Sequence, residues 1–168
     1  MPAAEQNFNP SRYQVIPRVL IFVTRGTEIL LLKLLPRQGR VTRWTGCYNG
    51  LGGHIERGED ALSAARRELL EEAGVQADLR LCGNLIVETG ENIGIELHIF
   101  SGEYLAGELC ATEEGLPAWI PLTELDRFPL VEDAPLLIDR IRARQPDTPP
   151  FCGRSFLDEQ GRMRLVFA

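Results

Sequence analysis

Metal-binding and redox side chains are scarce in this chain. Only two histidines, His54 and His98, stand among 168 residues. The four cysteines, Cys47, Cys82, Cys110 and Cys152, are scattered, with no Cys-x-x-Cys pair. A zinc site built from such ligands is therefore not expected, and isolated thiols in a reducing compartment are. No apolar run approaches the ~18 residues of a membrane span. The start, "MPAAEQNFNPSRYQ", lacks the basic-then-apolar layout of a secretory leader. A cytoplasmic protein without membrane attachment is the expectation. Positive charge is also in deficit: the formal net charge of −6 disfavours broad contact with nucleic acid or anionic membranes. It still allows a small anionic ligand held through a cation. Internal repeats, low-complexity tracts and a domain linker are absent as well.

What remains is a composition 44% hydrophobic and 25% charged, which suits one soluble globular domain with a real core. We expect a loose polar tail over residues 1–13 and a single domain over 14–168. Val15 to Val23, "VIPRVLIFV", reads as a strand with Pro17 marking an edge or a beginning. Ile29 to Leu35 returns as a second strand, and "PRQGRVTRWTG" is a basic loop. "CYNGLGG" reads as a short strand and a glycine turn. Further strands are read in "LCGNLIVET", "IGIELHIFSGEYL" and "PAWIPL", and a hairpin in the C-terminal "FCGRSFLDEQGRMRLVFA". Glu59 to Ala73 is the clearest helix: Leu62, Ala65 and Leu69 form an apolar stripe, Glu59 and Asp60 suit its N-terminal end, and Gly74 is a natural stop. Asp133 to Arg144 reads as a second helix, ended by Pro146, Pro149 and Pro150. Strands and helices do not alternate strictly, so a mixed sheet with a helix on each face fits better than a doubly wound parallel sheet.

The first helix carries Glu68, Glu71 and Glu72. At ~100° per residue they share one arc, and like charges so spaced destabilise a helix. The arc borders the apolar stripe, where crowding raises carboxyl pKa values. A bound divalent cation removes that penalty, and hard oxygen ligands without His or Cys nearby indicate Mg²⁺, with Mn²⁺ able to substitute. On spacing alone, a solvated helix with Arg66 and Arg67 pairing the acids is the simpler reading.

The flanking residues go further. From Gly53 the chain runs through Glu59 to "RELLEEAGV", and Gly53, Glu59, Arg67, Glu68, Leu69, Glu71, Glu72, Gly74 and Val75 match every specified position of a 23-residue pattern. This resembles the signature of the Nudix hydrolase family. The resemblance implies an α/β/α sandwich with a mixed β-sheet between helices, and hydrolysis of a nucleoside diphosphate linked to some other group. It implies Mg²⁺ held by Glu68, Glu71 and Glu72 with the Gly53 carbonyl, and Arg67 and Glu59 as supports that tie the loop to the helix.

Outside the signature, "YNGLGGHIERGE" resembles the MutT-like and animal oxidised-purine nucleoside triphosphatases of that family, which places Asn49 in a base pocket. An amide can donate and accept at one purine edge; otherwise Asn-Gly simply makes a turn. Glu132 and Asp133 fall where the animal enzymes carry paired acids against the oxidised base. Two adjacent buried carboxyls would share a proton; alternatively Asp133 is a plain N-cap ahead of Pro135. Leu130 departs from the pattern, standing where those enzymes have a base-stacking tryptophan. Glu114, with Glu113 in reserve, matches a loop glutamate that reaches the metals as ligand or base, although a solvated loop serves as well. His54 could touch phosphate, as could Lys33, Arg37, Arg40 and Arg43; a solvated basic loop is the simpler account of the last four. His98 is read as a strand-face residue without a role. The expected activity converts a nucleoside triphosphate, an 8-oxo-dGTP-like one first, to monophosphate and pyrophosphate. The alternatives are ADP-ribose, a nucleotide sugar or another (d)NTP as substrate, or a non-catalytic nucleotide sensor.

Overall fold

A computed structural model of the chain describes residues 3–6, 9–36, 39–145 and 147–168. The order of elements is β1 (Gln14–Arg25), β2 (Glu28–Leu34), β3 (Tyr48–Asn49), α1 (Ala61–Ala73), β4 (Val75–Val87), β5 (Ile93–Gly107), β6 (Gly115–Pro121), α2 (Ala134–Arg142), β7 (Phe151–Leu157) and β8 (Met163–Phe167), with short 3₁₀ turns at Ala3–Gln6 and Leu122–Arg127. All strands join one mixed sheet in the order β3-β2-β1-β5-β4-β7-β8, with β6 also paired to β2. β1 runs parallel to β5, and β4 parallel to β7; the other pairings are antiparallel.

The apolar run of β1 is continuous because both its faces are covered. Val19, Ile21 and Val23 pack towards α1, with Leu30 and Leu32 of β2 and with Ala64, Ala65, Leu69 and Ala73 of the helix. Leu20 and Phe22 pack the opposite way, with Ile29, Leu31, Leu85, Ile99 and, from α2, Leu137 and Ile138. A sheet with one helix on each face is the expected layered architecture. Ala64 and Ala65 are fully buried, so α1 can lie close against the sheet. Burying Leu69, 1% exposed, contributes about 1.5–3 kcal/mol.

Several boundaries differ from expectation. α1 begins at Ala61, because Asp60 is its cap: Oδ1 accepts the amide protons of Leu62 and Ser63, both at 2.9 Å. Gly74 ends it in the left-handed region at φ 72°. β4 starts at Val75, six residues earlier than read, because Gln76, Asp78 and Arg80 face water while Val75 and Leu79 are buried. Pro17 lies inside β1 rather than at its start. β2 covers only Val23–Arg25 of β1, and the carbonyl of Pro17 takes Ile55 N–H. The proline's missing donor thus falls on a loop-facing edge, away from β5. Leu136 of α2 is half exposed, while Leu137 and Ile138 are buried. Pro146 lies outside the described residues. Asn92 donates to the carbonyls of Ser11 and Arg12, which ties the N-terminal segment to the β4–β5 turn. No helix among the described residues is long and apolar enough to cross a membrane.

Candidate active site

Residues 48–54 form a wedge between β1 and β2. Tyr48 and Asn49 pair with Lys33 and Leu32 of β2, and Leu51 and His54 bridge to Ile21 and Arg18 of β1. Glycine is required twice in this wedge. A Cβ at Gly52, whose φ is 146°, would strike the Val19 carbonyl oxygen. A Cβ at Gly53 would occupy the place of the Glu68 carboxylate. The turn therefore brings main chain directly against helix α1.

Helix α1 meets this turn with its carboxylates. Glu72 is 5% exposed, and its Oε2 accepts the Gly52 amide proton at 2.7 Å. Glu68 lies over Gly53. Glu71, one residue round the helix, is mostly in water. Arg67 gathers the rest. Its Nε and Nη2 clamp both oxygens of Glu59 at 2.7 and 2.9 Å, Nη1 serves Glu68 Oε1 at 2.9 Å and Glu71 Oε2 at 3.0 Å, and Nη2 also reaches the His54 carbonyl at 3.0 Å. The fork geometry of guanidinium makes this possible. The bond from Arg67, and after it the Glu56 amide, hold the Glu59 carboxyl below its ordinary range. Glu59, then Glu68 and Glu71, raise the Arg67 pKa further, against the opposing effect of burial.

A cation would have to enter this arrangement. As the side chains stand, no three His, Cys, Asp or Glu among the described residues are gathered into a metal-holding group. Glu68 and Glu71 are each bonded to Arg67, and Glu72 accepts from the Gly52 amide. The donors nonetheless suit a hard cation. The Glu68 and Glu71 oxygens share one guanidinium nitrogen, Glu72 is one helical turn from Glu68, and all the candidate ligands are oxygen. The Gly53 carbonyl accepts Val19 N–H at 2.9 Å, which leaves it one lone pair.

A second group lies where β3 meets the start of α2. Tyr48 N–H donates to Pro129 O at 2.7 Å, and Val131 N–H to Tyr48 O at 2.9 Å. This stitches Asn49 to the segment carrying Glu132 and Asp133. The expected pair of buried acids is not formed. Glu132 is exposed, and its Oε2 takes Arg43 Nη2 at 3.0 Å and Trp44 Nε1 at 3.3 Å, so a cation neutralises it. Asp133 is half-buried; burial pushes its carboxyl up, with the Glu132 charge adding and its own amide opposing. Asp133 is not a side-chain cap of α2 either, since it makes no capping bond. Asn49 Oδ1 accepts the Gly50 amide proton at 2.9 Å. Tyr48, Val87, Leu97 and Leu130 are partly buried against the α2-side core beneath.

The remaining expected residues are dispersed. Glu114 is exposed; it sits at the head of β6, where its carbonyl accepts Leu35 N–H at 3.2 Å and Thr112 Oγ1 accepts its amide proton at 3.3 Å. Glu113 is exposed beside it. His54 contributes its carbonyl to Arg67, while its side chain is exposed. Arg43 is engaged by Glu132, Lys33 Nζ stands 6.0 Å from the Tyr48 ring centre, and Arg40 is exposed. Arg37 lies outside the described residues. His98 Nε2 stands 3.9 Å from Glu96 Oε1 on β5. The Gly52 amide and Trp44 stand in the two groups although neither was singled out. A backbone donor carries no sequence signal, and the partner of Trp44 is 88 residues away.

Known proteins share this architecture. A model of the NUDIX domain matches residues 15–141. An oxidized purine nucleoside triphosphate hydrolase from Danio rerio is 36% identical over 112 residues, covering 61% of this chain and 70% of the relative. The NAD-capped RNA hydrolase NudC from Pseudomonas aeruginosa is 31% identical over 134 residues, covering 77% of this chain but only 45% of the relative. The crystal structure of a MutT protein from Bacillus halodurans superposes with a TM-score of 0.74 at 19% identity, over 90% of this chain and 97% of that one; at that identity the likeness is one of fold.

Proposed function

The chain belongs to the NUDIX family and is a Nudix hydrolase, and from that premise we propose that it is a Mg²⁺-dependent nucleoside triphosphate pyrophosphohydrolase acting on oxidised purine nucleotides. The observation that carries the reading is the meeting of Glu72 and Glu68 with the Gly52–Gly53 main chain, with Glu71 joined to Glu68 through the same Arg67 nitrogen. The relative named for oxidised purine triphosphates supports the choice of base, as does the half-buried Asp133 on the segment bonded to Tyr48, the neighbour of Asn49.

The chain's residues divide the work. Glu68, Glu71 and Glu72, with the Gly53 carbonyl, would hold Mg²⁺, which when bound neutralises phosphate oxygens and lowers the pKa of a water. Glu59 and Arg67 lock the loop to the helix and fix the spacing of the carboxylates. Arg67, which neutralises Glu68 and Glu71 in the absence of a cation, keeps them from repelling each other apart. Gly52 and Gly53 let the main chain press against β1 and against the Glu68 carboxylate, so the Gly53 carbonyl and the helix acids lie together. His54, exposed beside the turn, is our candidate to meet phosphate oxygens. Glu114 is our candidate for the group that takes the proton from the attacking water. Asn49 and Asp133, whose carboxyl burial pushes up, read the base: C8 oxidation turns guanine N7 from acceptor to donor, and a carboxyl with an amide can meet that edge. Glu132, neutralised by Arg43, orders this region.

The test is a panel of 8-oxo-dGTP, dGTP, dATP, ADP-ribose, a nucleotide sugar and NAD, assayed with Mg²⁺ for pyrophosphate or phosphate release. The reading expects 8-oxo-dGTP to give monophosphate and pyrophosphate with the highest kcat/KM. Preference for ADP-ribose or NAD would transfer the site to a dinucleotide-type substrate, as the name of the NudC relative suggests for that protein. Tight binding without turnover would make the domain a sensor.

A further inference from the structure

The geometry points to Trp44 as the aromatic platform on which the substrate's base stacks; this deepens the nucleotide reading above and rests on it. An exposed indole on an unrestrained loop would mean little, but this loop is fixed. Thr45 N–H donates to Thr42 O at 3.1 Å, Thr42 N–H to Thr45 Oγ1 at 2.9 Å, and Cys47 N–H to Trp44 O at 2.9 Å. Its C-terminal side is tied to the end of β2, by Gly46 N–H to Leu34 O at 2.8 Å and Leu34 N–H to Cys47 O at 2.9 Å.

The indole is then oriented from outside the loop. Its N–H donates to Glu132 Oε2 at 3.3 Å, and the Arg43 guanidinium, bound to the same oxygen, lies over the ring at 4.8 Å from its centre. Glu132 is thus a positioning residue, spending its charge on Arg43 and its geometry on Trp44. Even so, 40% of Trp44 remains open to solvent. A large aromatic surface held in one orientation and left exposed is suited to a planar ligand.

The position is as informative as the exposure. Glu132 adjoins Asp133, and Tyr48, next to Asn49, is bonded through main chain to Pro129 and Val131. The two groups that would read a base edge therefore border the carboxylate that holds the indole. Leu130, bridged to Tyr48 in the same junction, offers no π face, and Tyr48 and Phe128 pack edge to face with each other against the core, so the exposed aromatic surface here is that of Trp44. Stacking on an aromatic tolerates any base; selectivity stays with Asn49 and Asp133.

The chain has two tryptophans, and Trp119 is enclosed by Arg25, 4.3 Å from its ring centre, and by Tyr104. Emission from Trp44 can therefore report binding. The probes are dGMP and 8-oxo-dGMP, with inorganic pyrophosphate as a ligand lacking a base, titrated into the full chain by fluorescence and calorimetry. We expect both monophosphates to quench emission saturably in the wild type. Trp44→Phe should lose the quench but keep most of the affinity. Trp44→Ala should weaken the monophosphates about 5- to 150-fold, the range of one base–aromatic stack, with pyrophosphate affinity unchanged. In hydrolysis the same variant should raise KM and hold kcat. Wild-type nucleotide affinity in Trp44→Ala, alongside normal hydrolysis of purine triphosphates, overturns the stacking role and leaves the nucleotide reading standing. Equal weakening of pyrophosphate and monophosphates also overturns it. If the wild type binds pyrophosphate and no monophosphate, and hydrolyses no purine triphosphate, the nucleotide reading fails and this assignment with it.

Discussion

Glu72 Oε2 and the Gly52 amide meet at 2.7 Å behind the turn that faces helix α1, and Glu72 is buried while Glu71, its neighbour in sequence, is mostly in water. The two glycines beside these acids fail differently when filled. At Gly52 the obstacle is the β1 backbone, which cannot move aside; Gly52→Ala should destabilise the fold by about 1–3 kcal/mol. At Gly53 the obstacle is the end of the Glu68 side chain, which can rotate away. Gly53→Ala should unfold near the wild-type temperature yet lose most activity, because Glu68 is displaced. Thermal unfolding and turnover, measured on both variants, separate the two effects.

Glu71→Gln should cut turnover by orders of magnitude and leave stability near neutral. Repulsion among the acids is already relieved by Arg67, and Glu71 is an exposed partner whose ion pair adds little. Denaturant unfolding and kcat on the purified variant check this; full activity removes Glu71 from the chemistry. Arg67→Ala should be worse for stability than Glu71→Gln, since it strands Glu59 and Glu68, both less exposed than Glu71.

Asp133 and Glu59 respond to pH in opposite senses. The Asp133 carboxyl is raised by burial, so its ionisation disfavours the folded state at neutral pH, and that cost vanishes below the unfolded carboxyl range near ~3.9. Asp133→Asn should therefore raise the unfolding temperature at pH 7, with the gain shrinking as pH falls towards 4. Glu59 is lowered by Arg67, so its contribution is present above the ordinary glutamate range and is lost as pH drops through the folded value. Glu59→Gln should be less stable than wild type at pH 7 and converge with it in acid. Unfolding temperatures across pH 3–8 decide both signs.

The helix and the arc of acids it carries were largely legible in sequence; the second group was not. α1 announces itself through Asp60, the Leu62–Ala65–Leu69 stripe and Gly74, all local signals within one element. The double-sided burial of β1 and β2 is written in the unbroken runs "VLIFV" and "ILLL". β4 was read short because Gln76, Asp78 and Arg80 obscured an alternation that Val75, Ala77 and Leu79 in fact carry. The shared-proton idea for Glu132 and Asp133 failed because sequence adjacency does not show that Arg43, far back along the chain, would claim one of the two. Nor could spacing show that Arg67 serves three carboxylates: Glu71 is one turn away, but Glu59 is reached only once the loop folds back.

Cation binding should appear as stability. At a free Mg²⁺ concentration 100 times its Kd, the folded state gains ~2.7 kcal/mol, seen as a rise in unfolding temperature that Glu68→Gln with Glu71→Gln abolishes.

The most direct test is Mn²⁺ titration followed by electron paramagnetic resonance, comparing the wild type with the Glu68→Gln, Glu71→Gln double variant and pairing each with 8-oxo-dGTP hydrolysis. The account predicts saturable Mn²⁺ binding in the wild type, its loss in the double variant, and loss of hydrolysis in step. Undiminished Mn²⁺ binding by the double variant, or wild-type hydrolysis that persists when divalent cations are chelated, would contradict it.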